Sequence, residues 1–139
     1  MRERETVEKI VDAIRRGDAR GYSEFFAQEG RLTHPLSTEE IKGKAAIVQS
    51  EQTIFDAFSD IDVEVRSIIS ERHQAATEVV LRATNTGPID LGKGNSVDPT
   101  GRRIEIEAVW IFDFASNGLV NAERDYFDLA GLMSQLGLE

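Results

Sequence analysis

The 139-residue sequence has no cysteine, only two histidines, three prolines and one tryptophan. Without cysteine there can be no disulfide, thiolate zinc site or cysteine nucleophile, and the absence suits a reducing compartment, so a cytoplasmic location is expected. No apolar run is long enough to span a bilayer, and the charged start Met1-Arg2-Glu3-Arg4-Glu5 lacks an apolar signal core. Neither membrane insertion nor export is therefore expected. Positive charge is also scarce: 16 Lys and Arg stand against 25 Asp and Glu, a net charge of −9. Nucleic acid and anionic lipid need clustered cations, so both are excluded as expected partners. With His34 and His73 far apart and no helix carrying the paired histidines of zinc hydrolases, no metal site is expected. Gly92-Lys93-Gly94 lacks the strand before and helix after that a phosphate-cradling loop requires, and no serine has nucleophile-elbow spacing.

What is present is 40% hydrophobic residues in a chain sized for one globular domain, taken as residues 1–139. Val7, Ile10, Val11 and Ile14 fall on one face of a helix that stops at Gly17. Asp18 can cap a second helix running to about Gln28, with Tyr22, Phe25 and Phe26 on its buried side and Gly30 as its breaker. A short strand follows over Arg31 to His34, ended by Pro35. The third helix, about Lys44 to Phe58, places Ile47, Ile54, Phe55 and Phe58 along one stripe. From Ile61 the period becomes two, giving strands over Ile61 to Arg66, Ala76 to Thr86, Ile104 to Phe114 and Leu119 to Phe127, with Asn117-Gly118 as a hairpin turn. Pro88 to Gly101 reads as a long loop able to act as a flap, and a short helix follows near Gly131-Leu132-Met133. Helices followed by meandering antiparallel strands predict an α+β fold, with helices packed on a strongly curved sheet.

The segment Gly118-Leu119-Val120-Asn121-Ala122-Glu123-Arg124-Asp125-Tyr126-Phe127-Asp128, followed by Leu132-Met133-Ser134-Gln135-Leu136-Gly137, resembles the end of SnoaL-like polyketide cyclases of the nuclear-transport-factor-2-like superfamily. Weaker landmarks agree in order: Gly17-Asp18, His34-Pro35, Gly43, Phe58-Ser59-Asp60 and Asn85-Thr86-Gly87. The resemblance implies a cone-shaped α+β barrel with three N-terminal helices, a deep apolar pocket for a hydrophobic small molecule, frequent homodimers and no cofactor. Activity is left open, because the fold hosts cyclases, isomerases, epoxide hydrolases and plain binding modules.

Asp125 matches the acid/base Asp of such cyclases, and apolar surroundings would raise its pKa into a useful range. Alternation along the strand alone would more commonly leave it in solvent. The family's histidine partner falls on Trp110, which offers an N–H and a stacking face but cannot relay a proton. His34 occupies the strand end where related ketosteroid isomerases carry a base, although a structural hydrogen bond is the commoner role for such a residue. Trp110, Phe112, Tyr22, Phe55 and Glu123 are the candidate substrate-binding residues. Glu123 shares the strand face of Asp125 at i and i+2 and could act beside it, although a solvated role is favoured. Limonene-type epoxide hydrolases carry a similar terminal acid plus an upstream Arg-x-Asp pair, for which Arg82-Ala83-Thr84 is the nearest counterpart and lacks the second acid. The outward Val109 and Ile111 suggest the pairing face of a homodimer.

Overall fold

The computed structural model describes residues 2–92 and 94–138, so Met1, Glu139 and Lys93 of the Gly92-Lys93-Gly94 segment lie outside the described residues. Helix α1 (Arg2–Arg15) buries Val7, Ile10, Val11 and Ile14, the residues its period places on one side. Helix α2 (Ala19–Ser23) is capped as expected by Asp18, which accepts from the Gly21 N–H at 2.9 Å. It ends sooner than local propensity suggests, because strand β1 (Phe26–Thr33) takes over. Phe26 pairs with Val120, and the Phe25 carbonyl accepts from the Val120 N–H. A long-range pairing thus overrides the helical continuation, and Gly30 lies inside a strand rather than breaking a helix.

Strand β2 (Ile41–Lys42) pairs with β1 and leads into α3 (Lys44–Ala57). Three long strands follow: β3 (Phe58–Glu71), β4 (Gln74–Asn85) and β7 (Arg103–Phe114). Between β4 and β7, the stretch read as a loop holds a small hairpin, β5 (Ile89–Gly92) and β6 (Asn95–Val97). Strand β8 (Val120–Phe127) and helix α4 (Leu129–Leu136) complete the chain. The six-stranded sheet runs β2-β1-β8-β7-β4-β3, antiparallel except for β1 against β8. This is the expected α+β class, with a curved sheet and the helices against it. Among the described residues no helix is long and apolar enough to cross a membrane.

The sheet's inner face carries Ile104, Ala108, Trp110, Phe112 and Phe114 of β7 beside Val79 and Ala83 of β4, all buried. α1 packs against β3 and β4. The outer face is charged: Arg82 donates to Asp62, Glu64 and Glu105 on the two neighbouring strands. The pairing of this six-stranded sheet is irregular at four places, in β1 between Phe26 and Arg31, in β3 near Asp60 and Arg66, and in β8 at Asn121. The last of these decides where the acidic residues point.

Candidate active site

In the β7–β8 ladder Asp113 pairs with Ala122 and Phe114 with Val120, so Asn121 is an extra residue on β8. A one-residue bulge reverses the parity of every side chain beyond it. Val120 points into the core before the bulge, and Glu123 and Asp125 point inward after it. Arg124 faces out, where it pairs with Asp113. Unbroken alternation from Val120 would have put both acids in solvent.

The inward acids meet a cavity of about 100 Å³. Its walls are mostly apolar, with Ile54 and Phe55 from α3, Ile61 from β3, Leu81 and Ala83 from β4, Ile104, Ile106, Ala108 and Trp110 from β7, and Phe127 and Leu132 near the C-terminus. Five aromatic rings line it: Tyr22, Phe55, Phe58, Trp110 and Phe127. Its ionisable groups are Tyr22, His34, Glu51, Glu123 and Asp125, with no Lys or Arg among the described lining residues.

Trp110 is the direct cross-strand partner of Asp125. Although Asp125 is only partly buried as a residue, its Oδ1 is shut off from solvent and has no hydrogen-bond partner among the described residues. Burial, followed by the charge of Glu123, drives the Asp125 carboxyl well above the usual carboxylate range. Glu123, expected in solvent, is 2% exposed, and its Oε1 accepts from the Tyr22 hydroxyl. Burial also raises its pKa, opposed by hydrogen bonding with Asp125 and Tyr22. Burial first and then Glu123 raise the Tyr22 hydroxyl well above its ordinary value, so it remains a neutral donor.

The sequence reading missed Glu51. It is 7% exposed, lines the cavity from α3 and makes no hydrogen bond among the described residues. Burial and the nearby Glu123 push its carboxyl up to about 8. The signal was available, since Ile47, Glu51, Ile54 and Phe55 fall at i, i+4, i+7 and i+8, which places a glutamate on the buried stripe of its helix.

His34 lines both this cavity and an outer vestibule of about 660 Å³. Its Nδ1 accepts from the Leu36 N–H at 3.2 Å and its Nε2 lies 3.4 Å from Ser50 Oγ. Burial lowers its pKa, so it is a neutral imidazole whose accepting nitrogen is already engaged. Phe112 is fully buried in the core with Phe114 and does not reach the cavity wall. Ile89 to Gly92 of the β5–β6 hairpin line the vestibule, whereas Val97 packs into the smaller core cluster. Arg82 points to the outer face, so Arg82-Ala83-Thr84 brings only Ala83 to the cavity. Among the described residues no group of three or more His, Asp or Glu is placed to hold a metal ion.

No curated protein matches this sequence significantly. Solved structures do. AclR from Streptomyces galilaeus, a candidate hydroxylase, superimposes with a TM-score of 0.79 at 25% identity, covering 97% of this chain and 95% of that one. An NTF2-like protein of unknown function from Burkholderia pseudomallei gives a TM-score of 0.80 at 18% identity, with 98% of each chain covered. SalBIII, described as an epoxide hydrolase/cyclase-like enzyme with a role in pyran ring formation in the polyether salinomycin, gives 0.76 at 18% identity, covering 94% of this chain and 97% of its own. The model of the SnoaL-like polyketide cyclase family matches residues 4–136, and the chain belongs to that family.

Proposed function

We propose that the protein is a cofactor-free acid/base enzyme acting on a hydrophobic carbonyl compound, most concretely closing a ring by intramolecular aldol addition or shifting a double bond as an isomerase. The observation that carries this reading is the buried, unpartnered Oδ1 of Asp125 in an apolar cavity. A carboxyl with a raised pKa is a competent base toward a C–H flanked by carbonyls, and its conjugate acid is a competent donor. In the aldol case Asp125 takes that proton, the resulting enolate carbon bonds to a carbonyl carbon of the same molecule, and the new alkoxide recovers the proton from Asp125. Trp110 cannot relay a proton, but Glu51 and Glu123 beside Asp125 give the cavity its own proton store.

A second reading is favoured by one observation: Asp125 and Glu123 both enter the cavity, as paired-acid epoxide opening would need. Arg82 is then absent from the reaction, and the neutral donors lining the cavity are the Tyr22 hydroxyl and the Trp110 indole N–H. Assay of a β-dicarbonyl ester and of small cyclic epoxides with the parent and Asp125→Asn separates the readings. Carbonyl conversion lost in the variant supports the first and diol formation the second. Neither product from the parent leaves a non-catalytic binding module.

A further inference from the structure

The cavity has an unusual charge composition. Three carboxyl groups, from Glu51, Glu123 and Asp125, face one apolar space whose described walls contain no Lys or Arg. Buried carboxylates in proteins are ordinarily compensated by a cationic side chain or a metal. Among the described residues the three are met by no cation: Glu123 accepts from the neutral Tyr22 hydroxyl and shares a hydrogen bond with Asp125. Glu51 is more than nine-tenths buried, lines the cavity and has no partner among the described residues. Asp125 Oδ1 is likewise buried and unpartnered.

We infer that the cavity accepts a small hydrophobic cation, a quaternary or protonated tertiary ammonium, held by the Glu51, Glu123 and Asp125 carboxylates within its aromatic walls. Such a cation is weakly hydrated and is attracted to ring faces, whereas a metal ion or primary ammonium would lose strong hydration in an apolar space. Every ionisable group facing the space is acidic or neutral: Tyr22 of α2 and His34 after β1 carry no charge, and the elements β3, β4, β7 and α4 contribute only apolar side chains and the Trp110 indole. The inference goes beyond the acid/base reading and needs no proton transfer to substrate.

Binding also has a definite pH signature. The carboxyls are held protonated by burial, so a cation entering must displace a proton, and its affinity rises with pH until the carboxyls are ionised without it. With Glu51 near 8, the dissociation constant for a ligand that cannot itself titrate should fall by up to tenfold per pH unit below about 8.

Trp110 is the chain's single tryptophan and lines the cavity, so its fluorescence reports occupancy directly. Tetramethylammonium chloride and tert-butanol, a neutral molecule of similar shape, are titrated from pH 6 to pH 9 at constant chloride into the parent, Glu51→Gln and Asp125→Asn. Expected are saturable tetramethylammonium binding at least tenfold tighter than that of tert-butanol at pH 8.5, tightening with pH, and a tenfold or greater weakening in Glu51→Gln. Equal or tighter binding of tert-butanol, pH-independent cation binding, or no saturation by tetramethylammonium would each overturn the inference. These comparisons hold in the parent even if a variant fails to fold. Cation binding without carbonyl turnover would retain this inference and discard the acid/base one, and turnover without cation binding would do the reverse.

Discussion

Trp110 and Asp125 stand directly opposite each other across β7 and β8, with an indole where a proton-relaying partner would be expected. The pair is therefore not an acid/base couple. The indole sets the Asp125 carboxyl against a large apolar surface, and in the acid/base function proposed above the proton transfers would fall to the carboxyls themselves.

Asp125→Asn removes a charge that the fold disfavours while keeping volume. The variant should be at least as stable as the parent at pH 7, and its advantage should grow as pH rises, since a carboxyl with a raised folded pKa costs stability once the solution draws its proton away. Urea midpoints measure this. A variant less stable than the parent across that range would place the Asp125 carboxylate in a favourable ionic contact.

Glu51→Gln should flatten the alkaline side of the stability profile. The parent's Glu51 is held near 8, far above its unfolded value of about 4.5. The stability linked to its proton is complete below the unfolded value, declines as pH rises, and is gone once pH passes about 8. The difference between parent and variant should therefore change by at most about 1.4 kcal/mol per pH unit in that window and be level above it. Parallel profiles from pH 5 to pH 9 would show that Glu51 reaches solvent.

Which parts of this were legible beforehand follows from physics. Periods of 3.6 and 2 identified α1, α3, β3 and β7, because each buries one face, and turn signals placed β4 and β8 beside them. The early end of α2 at Ser23 was not legible, since the pairing of Phe26 with Val120 links residues distant in sequence. Likewise the bulge at Asn121 leaves no pattern in composition, yet it turns Glu123 inward against the rule of alternation. Asp125 was found through its motif rather than its period. Glu51 could have been found, because a charge on the apolar stripe Ile47, Ile54, Phe55 is itself a signal.

The landmark Asn85-Thr86-Gly87 has a structural explanation with a measurable consequence. Asn85 is fully buried: its Nδ2 donates to the Ala57 and Gly87 carbonyls, and its Oδ1 accepts from the backbone and hydroxyl of Thr100. These bonds tie the end of α3 and the return into β7 to β4. Asn85→Ala should cost about 2–3 kcal/mol by leaving buried backbone groups unpaired. Gly87→Ala should also destabilise, since a Cβ there would lie 1.9 Å from the Asp56 carbonyl oxygen. Denaturant midpoints unchanged in both variants would refute this account.

The homodimer expected from the resemblance has a candidate surface on the outer side of β7 and β8, where Val109 and Tyr126 are 38% and 55% exposed and pair across the two strands. Light scattering at micromolar concentration should give twice the 15.5 kDa chain mass, falling to one chain mass for Val109→Lys. A parent that scatters as a single chain would refute the dimer.

Tyr22→Phe tests whether the donor to Glu123 holds the acidic cluster in its present state. The ring is almost completely buried and packs on Phe26 with centroids 5.1 Å apart, so removing the hydroxyl leaves the packing in place and takes away the hydrogen bond to Glu123 Oε1. That bond favours the ionised form of Glu123 and partly offsets the burial that raises its pKa. Without it, Glu123 should hold its proton to higher pH. The cost of Tyr22→Phe should therefore be smaller at pH 5 than at pH 8, growing by up to about 1–3 kcal/mol, because the parent gives up the Glu123 proton at lower pH than the variant does. Because the cluster shares its protons, a higher Glu123 pKa also leaves less negative charge beside Asp125, and any pH-rate profile should shift with it. Urea titrations at the two pH values check the first effect. A loss equal at pH 5 and pH 8 would mean that the hydroxyl serves packing alone and leaves the proton distribution among Glu51, Glu123 and Asp125 untouched.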